Sequence, residues 1–254
     1  MGLIPSPLEF FDPERETSRS QHRHLPHWSQ AGTVAFITWR TWDSLPELAI
    51  REWIGRRNVW LANRGIDPRS ATVDSDIGGL GMADRTELQR VLSSRWGGLL
   101  DGCHGALPLR CPNIAAIVST SLKYFDTMRY ELFDFVVMPN HVHLLASFVS
   151  AEGMRAQCKS WKHYTSVLIN RSLGRTGHFW ADDSFDHLIR SEEQFWFIRN
   201  YIASNPSKAR LSSGEFIWYS RPLDPPSPNG PVGQPKLVEA LEPDPFAERT
   251  EYIF

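Results

Sequence analysis

Two histidines flank a single residue in His141-Val142-His143, at the head of the apolar run HVHLLASFV. On a strand, residues i and i+2 project to the same side, so the two imidazoles stand together and can face one metal ion. Val142 and Leu144 then turn to the opposite side, toward a core. The same spacing also fits a polar patch beside a sheet edge. Further along, Tyr201 and Asn205 in RNYIASNPSKA are four residues apart, which stacks a phenol and a carboxamide on one helical face. A tyrosine oxygen serves as a nucleophile when a metal polarises its electrophile, and an amide oxygen is a further ligand. The competing reading is a core tyrosine followed by an Asn-Pro helix stop.

The elements that must carry these residues can be read from local pattern. Residues 130–137 (YELFDFVV) and 141–149 (HVHLLASFV) are rich in aromatic and β-branched residues and are split by Met138-Pro139-Asn140, so they predict two antiparallel neighbouring strands. Residues 32–40 (GTVAFITWR) predict an earlier strand. A helix is expected from Pro112 to Asp126 with a stripe of Ile114, Ile117, Val118, Leu122 and Phe125, and a long one over about 153–173. The segment HFWADDSFDHLIR predicts a loop and a short strand. Ser191, followed by Glu192 and Glu193, opens a last helix, which should end near Asn205 because Pro206 biases its predecessor away from helical geometry. Residues 46–101 read as helical, with Ile50, Trp53, Ile54, Arg57 and Leu61 at one spacing and Leu88, Leu92, Trp96 and Leu99 at another, broken by the Gly/Asp/Ser-rich stretch around 66–81.

These elements predict an α+β sandwich on a mostly antiparallel sheet with helices on one face. The chain of 254 residues is long enough for a full core, and its 41% hydrophobic and 22% charged content excludes a disordered or fibrous polymer. No run reaches the roughly 18 residues of a membrane span and the start lacks a signal-peptide layout, so the expected compartment is the cytoplasm and no membrane partner is expected. Three cysteines, Cys103, Cys111 and Cys158, lack metal or redox spacing and read as reduced thiols. The net charge is -2, but the stretch from Leu223 to the end holds six acids against two bases, leaving the rest slightly positive. Residues 152–210 carry nine Lys or Arg against six acids, which permits a polyanionic partner. Residues 1–30 form a polar leader in which His22, His24 and His27 cluster; they could bind metal or simply sit near a sheet edge or phosphate. From Pro222 to Pro245 there are eight prolines in 24 residues, so 222–254 predicts an irregular acidic tail.

The strings VVMPNHVHLL, FDHLIRSEEQF and YIASNPSKARL, in that order, resemble the tyrosine transposases of the IS200/IS605 type, with particular likeness to the REP-associated tyrosine transposases. The likeness spans about 32–220. It implies an HUH-type single-strand DNA endonuclease with a ferredoxin-like or RRM-like sheet, and a catalytic domain over 31–221 with residues 46–111 as a helical insertion. By the same likeness His141 and His143 match the metal-binding pair, Tyr201 the nucleophile and Asn205 the third protein ligand, for Mg²⁺ or Mn²⁺. The reaction implied is cleavage and rejoining of DNA through a 5'-phosphotyrosine link, at hairpins of the REP type. Single-stranded or hairpin DNA is the expected partner, and the protein is a monomer or a homodimer. Arg155, Lys159, Lys162 and His163 are candidates for backbone contacts, and Trp161 and Tyr164 either stack on bases or pack in the core. Asp182, Asp183 and Asp186 could assist the metal or hold His187, or serve turns. A relaxase or replication initiator of the same chemistry, and a binding module without catalysis, are the alternatives; the set His141, His143, Tyr201 and Asn205 argues against the latter.

Overall fold

The computed structural model describes residues 8–223 except 13, 16, 23–24, 82, 85–86, 89–90 and 92–101. The described residues divide into two compact units, 8–44 with 102–223 and 45–91. In chain order the elements are β1 (Ser18–His22), β2 (Leu25–Ser29), β3 (Val34–Thr41), α1 (Glu47–Ala62), α2 (Val73–Gly79), α3 (Pro112–Tyr124), β4 (Tyr130–Val137), β5 (His141–Phe148), α4 (Ala151–Ser172), β6 (Trp180–Leu188), α5 (Glu192–Lys208) and β7 (Ile217–Ser220).

Alternation along the strands builds the first unit. β3, β4 and β5 are buried along almost their whole length, so each presents one set of side chains to each face. The five strands β6-β3-β5-β4-β7 form one antiparallel sheet, and β1 pairs with β2 separately. Taken as β3-α3-β4-β5-α4-β6, the chain follows the ferredoxin-like order in which the first and third strands are central. On one face Ala35, Ile37, Trp39, Val142, Leu144, Ala146, Phe135 and Val137 meet the stripes of α3 (Ile114, Val118, Leu122) and α4 (Met154, Trp161, Ile169) in a continuous apolar core. Helices on one face describes α3 and α4; α5 lies across the other face, where it meets His143, Phe36 and Asp134.

Caps set the helix starts. Ser150 Oγ accepts from the Gly153 N–H at 3.0 Å and Ser191 Oγ accepts from the Gln194 N–H at 3.1 Å, while Pro112 fills the first turn of α3 where its missing N–H costs nothing. The β4–β5 hairpin closes with the Met138 N–H donating to the His141 carbonyl at 2.8 Å, around Pro139. In the second unit α1 buries Trp53, Arg57, Trp60 and Leu61, and Arg64 pairs with Asp84 at 2.8 Å. Leu88 is buried; the expected partners Leu92, Trp96 and Leu99 lie outside the described residues.

Where the chain leaves and rejoins the first unit it is clasped. Asp43 Oδ2 accepts from the Ala106 N–H at 2.9 Å, and Gly105, at φ +95°, approaches so closely that a Cβ there would lie 2.7 Å from the Asp43 carbonyl oxygen.

Four features depart from the sequence expectation. Residues expected as a polar leader include the β1–β2 hairpin. The short strand expected near 180–188 is nine residues long, because pairing with β3 overrides the poor strand propensity of Asp182, Asp183 and Asp186. β7 adds a fifth strand beside β4. α5 does not stop at Asn205 but runs through Pro206 to Lys208. A proline in the last turn removes a single N–H, and the Ala209 and Leu211 N–H groups close the end on Asn205 and Pro206 carbonyls at 3.0 and 2.9 Å. The tail beyond 223, with the prolines expected to keep it irregular, lies outside the described residues, as do His24 and the side chains of His22 and His27.

Candidate functional site

β5 sits in the centre of the sheet, and its residues His141 and His143 face α5. Their Nε2 atoms are 3.1 Å apart. Each ring is held from behind. Asn140 donates through Nδ2 to the His104 carbonyl at 2.9 Å, which leaves its Oδ1 to accept from His141 Nδ1–H at 2.8 Å. That bond fixes the His141 tautomer with a lone pair on Nε2. Thr38, the cross-strand partner of His143 on β3, places its Oγ1 2.7 Å from His143 Nδ1. The Phe36 ring stacks on His143 with centroids 5.3 Å apart.

α5 brings Tyr201 over this pair. The phenol oxygen is 3.5 Å from His143 Nε2, and Phe36 meets the Tyr201 ring edge-on at 6.0 Å. The helix is seated by apolar residues Phe195, Ile198 and Ile202, all fully buried, and by Arg199. Arg199 Nε pairs with Asp134 Oδ2 on β4 at 2.7 Å, and its Nη2 donates to Ser220 Oγ and the Arg221 carbonyl at 2.6 and 2.7 Å. Burial pushes the Asp134 carboxyl up, against the pull of Ser220 and Arg199. A buried pair of this kind holds position firmly, because removing one partner strands the other.

Electrostatics favour neutral rings. Burial drives His141 down to about 3, partly opposed by the Asn205 amide, and drives His143 well below its ordinary value, with the charges of His141 and Lys208 adding to the effect. Asn205 is fully buried, and neither polar atom of its amide has a hydrogen-bond partner of ordinary geometry. The amide thus lies close enough to act on His141 yet keeps its oxygen uncommitted. Two neutral imidazoles and an orphaned amide are donors able to hold a cation, beside a phenol able to act as a nucleophile.

Residues 116–205 match the family described as transposase IS200 like. The likeness to that family covers about a third of the chain. It begins within α3 and ends on Asn205, so it takes in His141, His143, Tyr201 and Asn205. No curated protein matches the chain. A solved structure of a REP-associated tyrosine transposase bound to a REP hairpin is similar over 74% of this chain and 73% of that one, at 14% identity and a TM-score of 0.35.

The fold keeps the other candidate residues away from this cluster. Arg155, Lys159, Lys162 and His163 lie on α4, which packs on the opposite face of the sheet, and line a groove of about 670 Å³ between α4 and β6. Trp161 is core, stacked on Trp39 with its indole N–H donating to the Ser121 carbonyl at 3.2 Å, whereas Tyr164 is exposed. Asp186 pairs with Ile37 and so faces that groove rather than the histidines, and the Asp182 carbonyl accepts from Lys162 at 2.8 Å. The side chain of Asp183 is outside the described residues. His187 is held by Gln194: Gln194 Oε1 accepts from the Arg190 N–H at 2.7 Å, so its Nε2 donates to His187 Nε2 at 2.8 Å. Thr38, Asn140 and Lys208 are members of the site that spacing did not disclose. Asn140 was legible as a hairpin residue, but its side-chain role needs the loop that carries His104.

Proposed function

We propose that the protein is a single-strand DNA endonuclease and strand-transfer enzyme in which Tyr201 is the nucleophile, acting at hairpins of the REP type. The observation that carries the proposal is the Tyr201 oxygen 3.5 Å from His143 Nε2, which itself lies 3.1 Å from His141 Nε2, all from one chain. In this reading the phenol oxygen attacks phosphorus and the bond to the 3'-oxygen breaks. The phenol gives up one proton and the departing 3'-oxygen takes one, leaving a 5'-phosphotyrosine and a free 3'-hydroxyl. Because the new link keeps the energy of the phosphodiester, a second 3'-hydroxyl can attack it and rejoin strands without a nucleotide cofactor. A flexible single strand or hairpin flank suits a site in which one phosphate must meet a side chain on a fixed helix.

His141, His143 and Asn205 fit a divalent cation, Mg²⁺ or Mn²⁺, on the chemistry of their donors. Among the described residues no group of three or more His, Cys, Asp or Glu side chains converges, so a third protein ligand here is the amide of Asn205. A mixed nitrogen and oxygen set favours Mn²⁺ over Mg²⁺. When bound, such an ion acts as a Lewis acid toward a non-bridging phosphate oxygen. The chain's own part is to keep both rings neutral through burial and to orient them through Asn140 and Thr38.

The test is a labelled single-stranded oligonucleotide carrying a hairpin from the DNA flanking the gene, incubated with Mn²⁺ and run on a denaturing protein gel. Label should travel with the wild-type protein and not with Tyr201→Phe, and His143→Ala should remove the Mn²⁺ dependence along with the adduct. An adduct that survives Tyr201→Phe overturns the nucleophile. Retarded complexes on a native gel with no adduct on any hairpin would make the chain a binding module.

A further inference from the structure

α5 carries a third polar side chain on the face of Tyr201 and Asn205. At 3.6 residues per turn, positions 201, 205 and 208 fall within one narrow arc, and the helix reaches 208 because it continues through Pro206. The ammonium of Lys208 lies 5.1 Å from the centroid of the Tyr201 ring. Its charge is also felt at His143. The side chain therefore turns back over the phenol and imidazole. The rings below it are buried and neutral, while Lys208 itself is exposed, so a polyanion arriving at Tyr201 meets this ammonium at the mouth of the site.

We propose that Lys208 is a phosphate-binding residue of the site, its ammonium contacting a non-bridging oxygen of the phosphodiester that Tyr201 attacks. The assignment rests on the reading of Tyr201 as the nucleophile. A phosphodiester has two non-bridging oxygens; a cation held by His141, His143 and Asn205 would meet one of them, and a lysine is a compact point charge suited to the other. The Lys208 position lies three residues past the stretch matched by the transposase family. The plain alternative is that a lysine in the last turn merely complements the helix carbonyls. That role would be indifferent to the charge of the bound phosphate.

The test uses Tyr201→Phe protein, which lacks the proposed nucleophile, and two versions of a hairpin oligonucleotide whose cut position the adduct assay has mapped. One is native and the other carries an uncharged methylphosphonate at that linkage. Dissociation constants are read by fluorescence anisotropy. Adding Lys208→Met should weaken the native oligonucleotide about tenfold, the size of one charge-assisted contact. The methylphosphonate version should move less than about twofold, and Lys208→Arg should restore most of the difference. Equal weakening of both oligonucleotides, or of neither, overturns the assignment while leaving Tyr201 untouched. If the protein with Lys208 intact binds the two versions alike, the assignment fails in the same way; if no adduct can be mapped, the nucleophile reading itself has failed and Lys208 falls with it.

Discussion

The two faces of the sheet are made by the same strands and do opposite work. Under α3 and α4, Ile37, Trp39, Val142 and Leu144 are apolar and closely packed, and the stacked Trp39–Trp161 pair closes the layer. Under α5 the residues one position along, Thr38, His141, His143, Asp134 and His187, are all polar and nearly all as deeply buried. Burying polar groups is costly unless each is paired, and here each pairing also orients a ring or seats the helix. One face therefore supplies stability and the other spends some of it on holding a few atoms in place.

Breaking each face in turn should separate the two roles. Tyr201→Phe should abolish adduct formation, a loss of at least about 1000-fold on the scale of removing a covalent nucleophile. Its unfolding free energy in urea should change by less than about 1 kcal/mol, the size of one ordinary hydrogen bond. Leu144→Ala, on the apolar face, should do the reverse: it should cost about 2–5 kcal/mol in denaturant unfolding while the folded fraction keeps its rate of adduct formation. If Leu144→Ala proves as damaging to chemistry as to stability, the faces are not independent.

Acid sharpens the comparison further. Burial, aided by Arg190, holds His187 down to about 3, against an ordinary value near 6.5, so the native state binds fewer protons than the unfolded chain. The resulting stability is fully present above about pH 6.5 and drains away as pH falls toward 3. Urea midpoints measured from pH 7 to pH 4 should fall, and His187→Gln should flatten that fall. The smallest effect is expected on α4. Lys159→Ala should weaken hairpin affinity less than about twofold and lower the salt slope by at most about one unit. A tenfold loss would make the α4–β6 groove a DNA surface in its own right.

Much of this arrangement was legible in the residues. The limits of β4 and the starts of β5, α3 and α5 follow from alternation, Pro112, Pro139 and Ser191, and the His-x-His and Tyr-x-x-x-Asn spacings marked the side chains that come together. The rest depends on partners far away in sequence. β6 looked short because three aspartates conceal a strand that β3 completes. Pro206 looked like a stop because local geometry disfavours the turn that α5 nevertheless keeps, and with it went any view of Lys208. Thr38 is a common strand residue until register places it against His143. The sheet face on which the basic run of α4 lies could not be read, because charge along a chain does not report which face of a sheet it covers.

The clasp between Asp43 and the Gly105–Ala106 backbone carries a consequence for how such a chain can change. The roughly sixty residues between those points leave and return through a single gate, tied shut by one carboxylate and a glycine that tolerates no side chain. Both ends of that stretch are held to each other within the first unit, so a change of length between them leaves their separation at that point fixed.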